Sequence, residues 1–344
     1  MSRIVYLFGA GASFGKRAED DKDEILEGLP IVSEFPVQIE KLIEKICEEE
    51  KQPKFYGIKT EPWEYDKLKE EFKWLKETSE SHQTIDTFAK KLWVTDKAEY
   101  ERLKAALSAF LTLEQLFLNP DKRYDAFFAN ILGSSSSKLP NDMSILSWNY
   151  DCQFEIAYAA YNKSKSINDI WEDLKIIGKT TKVYISDKTD FSIIKLNGTA
   201  LTFENKGRYT KFFDPIYGRA DRDKLGFVHW SQLNGANNVS NALSFAWEET
   251  ESVFYDDIKQ KVNDTEVLVV IGYSFPYFNR EVDRTIVQNM KNLEKVYIQD
   301  PYCEDVKESF EAVLSDEQLE KVENGQIKIV PKKNTKQFVI PNEM

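Results

Sequence analysis

Five turns rich in glycine or polar residues stand directly after apolar runs in this chain, and each has the composition of a strand end that faces a ligand. Gly9-Ala10-Gly11-Ala12-Ser13 follows Ile4-Val5-Tyr6-Leu7-Phe8. A glycine turn at that place lets backbone N–H groups and a helix N-terminus approach a pyrophosphate. The spacing is incomplete. Gly15 comes one residue late for G-x-G-x-x-G, and Gly11 to Lys16 does not fit a Walker loop. A phosphate cradle and a tight turn that binds nothing therefore both stay open. Asn149 and Asp151 follow the run that ends in Leu146-Ser147-Trp148; they either point into a crevice or cap the next helix. Ile193-Ile194-Lys195-Leu196 leads into Asn197-Gly198-Thr199, and Val269-Val270-Ile271 into Gly272-Tyr273-Ser274. Val296-Tyr297-Ile298-Gln299 leads into Asp300, where a carboxylate can hold a ribose hydroxyl. Each has a plain turn-chemistry reading. Five of them in one chain would converge on one crevice.

The elements that must position these turns are legible as periods. Ile4 to Phe8 is a continuous apolar run, as expected of a strand buried on both faces. From Pro30 to Pro140 the spacing is helical: Ile39, Leu42, Ile43 and Ile46, then Leu68, Phe72 and Leu75, then Ile85, Phe88, Ala89 and Leu92, then Leu103, Ala106, Leu107, Phe110 and Leu111. The stretch from Trp63 to Trp74 reads as an amphipathic helix packed on this block. Gly133 to Asp142, with four serines and Pro140, reads as its boundary. Strand signals return at Met143 to Trp148, Val183 to Ile185, Ser192 to Leu196, Val267 to Ile271, Lys295 to Gln299 and Ile327 to Val330; a helix is expected from Cys152 to Tyr161. The expected fold is α/β: a Rossmann-like parallel sheet with helices on both faces, interrupted after its first strand by an all-helical insertion. The domain reading is 1–29 with 141–330 for the sheet domain, 30–140 for the insertion and 331–344 for a loose or partner-docking tail.

Composition bounds what such a crevice can do. The 344 residues are 42% apolar with 22 Phe, 16 Tyr and 7 Trp, enough for a packed core. No apolar run reaches a membrane span and no signal-peptide pattern opens the chain, so a soluble, cytoplasmic protein is expected. The net charge of −12 argues against broad nucleic-acid binding. Cys47, Cys152 and Cys303 form no CxxC pair, and His82 and His229 complete a poor inventory for metals. Acid–base chemistry is left to carboxylates, Tyr, Asn-held water or one of two imidazoles.

As an ordered set, Gly9-Ala10-Gly11-Ala12-Ser13, Trp148-Asn149-Tyr150-Asp151, Lys195-Leu196-Asn197-Gly198 and Gly272-Tyr273-Ser274-Phe275 resemble the sirtuin-like proteins of bacteria. Thr84 to Leu92 in the helical block resembles the same branch. The resemblance covers residues 1–16 and about 143–302. It implies NAD as ligand or substrate, with hydrolysis to nicotinamide and ADP-ribose in antiphage defence. On it, Gly9, Ala10, Gly11 and Ser13 cradle the pyrophosphate. Asn149 and Asp151 face the nicotinamide ribose and carboxamide, with Asn149 at the catalytic position. Gly272 and Ser274 contact phosphate or the adenosine ribose, and Asp300 the adenosine ribose. Asn197 departs from the pattern, because the family's motif usually reads Lys-Leu-His-Gly and asparagine takes up no proton at neutral pH.

Hydrolysis tolerates that departure better than protein deacylation does. The leaving group of NAD is already a cationic pyridinium and needs no proton, whereas deacylation uses the base to activate a ribose hydroxyl; the zinc cysteines of deacylases are also missing. The competing function is a degenerate NAD or ADP-ribose-derivative sensor or scaffold without turnover. His82 and His229 are weighed as relocated bases against packed, hydrogen-bonded imidazoles. Asp86 is weighed as a supporting carboxylate against a first-turn acid, and Cys152 as a nucleophile against a small buried apolar group. With no recognition module visible, activation by a separate activator or sensor chain, or by self-association into a homo-oligomer, is expected.

Overall fold

The computed structural model describes residues 3–51, 62–82, 84–133, 138–161, 167–178, 189–204, 208–209, 239–248 and 253–344. Strand β1 (Ile4–Phe8) runs into the glycine turn, followed by the short hairpin β2 (Lys16–Arg17) and β3 (Ile25–Glu27). Helices α1 (Phe35–Lys51), α2 (Pro62–Ser81), α3 (Ile85–Thr95), α4 (Lys97–Phe117) and α5 (Lys122–Ile131) come next. The sheet resumes with β4 (Met143–Ser147), α6 (Gln153–Ala159), α7 (Ile167–Asp173), β5 (Ile176–Gly178) and β6 (Ser192–Lys195). Strands β7 (Gly198–Glu204), β8 (Arg208–Tyr209) and β9 (Val239–Leu243) form a separate three-stranded sheet. The chain closes with α8 (Val253–Val262), β10 (Val267–Ile271), α9 (Arg280–Gln288), β11 (Lys295–Gln299), α10 (Cys303–Glu311), α11 (Asp316–Glu323) and β12 (Lys328–Lys332).

The main sheet has seven strands in the order β12-β11-β10-β1-β4-β6-β5, and every pairing in it is parallel. The protein is thus a Rossmann-like α/β fold. Strand β1 lies between β4 and β10: the chain moves outward on the β4 side, then crosses back to β10 and continues outward on the other side. Such a reversal opens a crevice at the carboxyl ends of the strands.

The continuous apolar character of β1 follows from its two buried faces. Tyr6 and Phe8 join one core with Tyr124, Phe127 and Phe128 of α5, Phe154 of α6 and Trp171 of α7. Val5 and Leu7 join the other, with Ile258 of α8, Ile286 of α9 and Phe310 of α10. A third core belongs to α1–α4 and closes against Ala200 and Leu243 of the three-stranded sheet and Phe245 just beyond it, where Thr112 Oγ1 donates to Ala200 O at 2.7 Å.

One expectation changes. Residues 331–344 are not loose: Pro331 and Lys332 finish β12, and Phe338 is buried against Phe8, Tyr124 and Phe127. The segment is fixed because Gln299 Nε2 donates to the carbonyls of Asn334 and Gln337, and Tyr6 Oη to that of Val339 at 3.0 Å. The short β2–β3 hairpin precedes the helical block, and between 30 and 140 the regular elements of the described residues are all helices. The strand expected at Val183 to Ile185 lies outside the described residues, as does His229. Among the described residues no helix is long and apolar enough to cross a membrane.

Candidate active site

Three of the five strand-end turns are joined by side-chain hydrogen bonds. Ser13 Oγ donates to Asp151 Oδ2 at 2.6 Å and accepts from Asn149 Nδ2 at 2.9 Å. The Tyr124 hydroxyl lies 2.8 Å from the same oxygen. A serine has one hydrogen to give. Because Ser13 gives it to the carboxylate, Tyr124 must donate, and the four groups form a fully directed cluster. Asn149 does not cap the following helix. Asp151 serves both of its readings, since its Oδ1 accepts the Gln153 N–H at 3.1 Å while Oδ2 accepts from Ser13.

The backbone around Asp151 is held from below. Lys195 Nζ donates to the Asp151 carbonyl at 2.5 Å and pairs with Glu155 at 3.3 Å, both side chains being fully buried. Burial alone would lower the Lys195 ammonium, but Glu155, Cys152 and Asp151 together outweigh it and the pKa is raised. Gln115 Oε1 accepts the Cys152 N–H at 2.7 Å. Burial pushes the Cys152 thiol well up, which removes it as a nucleophile at neutral pH.

Asn197 sits where the two sheets meet, between Lys195 of β6 and Gly198 of β7. Gly198 has φ +68°, and a Cβ there would stand 2.0 Å from Ala242 O, so the close approach of β9 demands glycine. Asn197 Nδ2 reaches the Trp148 carbonyl and the Tyr150 hydroxyl, each at 3.4 Å. Its Oδ1 is buried without a partner. A buried acceptor left open at the carboxyl edge of a parallel sheet is a place for a ligand hydroxyl or a water. Asn149, Asp151 and Asn197 are each 5–6% exposed, so bulk solvent is already largely excluded.

The glycine turn is built by contact with β10. Gly9 N donates to Ile271 O at 3.0 Å and Gly11 N to Gly272 O at 2.9 Å. Gly272 has φ +58°, and a Cβ on it would lie 2.3 Å from Ala12 N. The amides of Ala12 and Ser13 close the turn onto Gly9 O and Ala10 O. Ala10 is exposed at the head of this turn. Arg123, which sequence reasoning missed, donates from Nη2 to Ala12 O at 2.9 Å and Gly11 O at 3.3 Å. Ser274 is exposed beyond β10. Asp300, half-buried beyond β11, accepts the Tyr302 N–H at 2.8 Å, and burial raises its pKa.

Asp86 lies in the first turn of α3, whose N-cap is Thr84. Burial lifts its carboxyl to about 6. It is near enough to add to the effect of burial in raising the Tyr150 and Tyr273 hydroxyls. Tyr273 stacks on Trp148, ring centroids 5.9 Å apart, and donates to Asp283 at 2.7 Å. His82 is packed on Phe88, with Nδ1 3.1 Å from Thr78 O, which is the reading of a satisfied structural imidazole. Tyr124, Arg123 and Asp283 carried no local signal, because each acquires its role through a partner distant in sequence or a turn chemistry common to many helices.

The fold and site together define a Rossmann-like α/β protein with a cluster of buried polar side chains at the carboxyl ends of its strands. No protein-family model matches the chain, and no curated protein matches it by sequence.

Proposed function

We propose that this chain binds NAD across the carboxyl ends of β1, β4, β6 and β10 and hydrolyses it to nicotinamide and ADP-ribose. The observation that carries the reading is the open, buried Asn197 Oδ1 beside the directed Ser13–Asn149–Asp151 cluster. Gly11 and Gly272 pack backbone against backbone, which holds the turn close on β10 with Ala10 exposed at its head, where the pyrophosphate would lie. The fit is partial at this turn, because Gly11, Ala12 and Ser13 spend their amides on the turn itself.

Departure of nicotinamide from the ribose leaves a cationic sugar centre, and the leaving group needs no proton. The chain's task is to bind, orient, exclude water and stabilise charge. Asn149, oriented by Ser13, presents its amide to the ribose or to the attacking water. Asp151, held at its backbone by Lys195 and at its side chain by Ser13, places a negative charge near the developing cation. Asn197 Oδ1 accepts from a ribose hydroxyl or a water. Ser274 and Asp300 extend the crevice toward the adenosine end. The absence of histidine at 197 costs rate rather than the reaction; a general base is commonly worth about 10² to 10⁴-fold. By the same resemblance, the setting we propose is a cytoplasmic antiphage effector controlled by a partner chain or by self-association.

The test is nicotinamide release from NAD by the purified chain, followed by chromatography with Asn149→Ala and Asn197→His in parallel. Release that vanishes in Asn149→Ala is the expected result. Release from Asn197→His alone would replace hydrolysis with an NAD sensor switched off at one residue. NAD-induced thermal stabilisation without release from any of the three would favour the sensor as well.

A further inference from the structure

A second hollow lies between β11, β12 and the returning C-terminal segment. A cavity of about 840 Å³ opens there, lined by Lys295, Lys332 and Lys336 with Asn334, Tyr297 and Val330. Its charge runs against that of the chain, which carries −12 overall. Glu343 bridges Lys295 at 2.7 Å and the Tyr297 hydroxyl at 3.2 Å, so that carboxylate is already engaged. Lys332 and Lys336 have no carboxylate within ion-pair distance among the described residues.

Lysines on an edge strand also deter edge-to-edge pairing, and that accounts for Lys328, which is on the same strand but not part of the hollow's lining. It does not account for Lys295 and Lys336, which come from the neighbouring strand and from the returning segment. The unpaired ammonium groups of Lys332 and Lys336, from two different stretches beside the Glu343-paired Lys295, form a charge trap around one hollow. The returning segment is pinned on one side by Gln299, which donates to Asn334 O and Gln337 O and accepts the Val339 N–H at 3.0 Å. Glu343 pins its far end, so the hollow is a formed feature.

We propose that this cavity binds a small phosphorylated molecule with the chemistry of a nucleoside diphosphate. The uncompensated Lys332 and Lys336 take the phosphates, and the apolar floor at Val330 and Tyr297 takes the rest of the molecule. The volume falls within that of small-molecule pockets and is far larger than one phosphate needs. The site is independent of the NAD reading.

The experiment is calorimetric titration of the full chain with ADP and with pyrophosphate at fixed ionic strength, using Lys332→Ala/Lys336→Ala and a control pair, Lys328→Ala/Lys333→Ala. Amide hydrogen exchange over 333–343 is followed with and without ADP. The expected result is binding that slows exchange in that segment, weakens at least tenfold in the cavity pair, since charge-assisted bonds are lost, and is unchanged in the control pair. Nicotinamide release by the cavity pair stays at the wild-type level. Pyrophosphate binding as tightly as ADP would keep the site and reduce the ligand to its phosphates. No binding of either probe would overturn the proposal, as would equal loss in both pairs or binding without protection of 333–343. Tighter binding of a single-stranded 20-mer through the same lysines would overturn the small-molecule assignment in favour of nucleic acid.

Discussion

The guanidinium of Arg123 lies 4.9 Å from the centroid of the Phe338 ring, which joins the C-terminal segment to the first strand turn. The same side chain donates to Ala12 O, to Gly11 O and to Thr335 O, and pairs with the buried Asp121. Phe338 in turn stacks edge-on against Tyr124, whose hydroxyl feeds Ser13. The C-terminal segment is therefore part of the support of the candidate site. Arg123→Lys keeps the charge but loses the planar fork and the ring contact. We expect nicotinamide release to fall about tenfold or more, with a thermal midpoint close to wild type. Phe338→Ala removes a buried ring and is expected to cost about 3 kcal/mol in denaturant unfolding.

Gly272 tests the contact between the turns. Its φ of +58° and a Cβ position 2.3 Å from Ala12 N and 2.4 Å from Gly11 C leave an alanine nowhere to go, because the obstacles are backbone. Gly272→Ala should destabilise the fold by several kcal/mol and abolish NAD binding, whereas Gly325→Ala, with φ +78° but nothing within 4 Å, should cost about 1 kcal/mol. Equal midpoints for the two variants in urea would show that the turn yields.

How much of this could be read from the residues follows from what each depends on. The runs 4–8, 143–147, 192–195, 267–271 and 295–299 are apolar because both faces of the sheet are covered, and that composition is local. Strand β5 is three residues long, Ile176-Ile177-Gly178, too short to show a period. Phe338 stands among polar residues and is buried only because Phe8, Tyr124 and Phe127 meet it from far along the chain. In the site, the residue types at strand ends were legible, but the Ser13–Asn149 bond joins positions 136 apart, and no spacing rule reaches that far. Lys195 looked like one charge in an apolar run; its Glu155 partner is set by α6 packing under β6.

That ion pair carries its own prediction. Lys195 and Glu155 are fully buried, and among the described residues Glu155 has no other cation beside it. Lys195→Met leaves a carboxylate in an apolar interior and also releases the Asp151 carbonyl, so the loss should be about 3–5 kcal/mol. Adding Glu155→Leu should recover most of the stability, because a matched apolar pair replaces a desolvated one. Nicotinamide release should stay low in the double variant, since Asp151 has still lost the donor at its carbonyl. Recovery of both would mean that Lys195 serves folding alone.

Asp283 gives the pH dependence. Burial raises its carboxyl from 3.8 to about 8 against the opposing effects of Tyr273, Trp148 and the Arg280 charge. The folded chain therefore holds a proton across roughly pH 4 to 8 that the unfolded chain has released. Stability contributed by this group is complete at the acid end of that window, falls as pH rises through it, and levels off above about 8. Asp283→Asn keeps the acceptor for Tyr273 and cannot ionise. It should leave the thermal midpoint near pH 5 little changed and raise it by a few degrees at pH 8, with a flatter profile between. A variant less stable than wild type at pH 8 would mean that Asp283 is ionised in the folded protein and that Trp148 and Tyr273 hold it as a carboxylate.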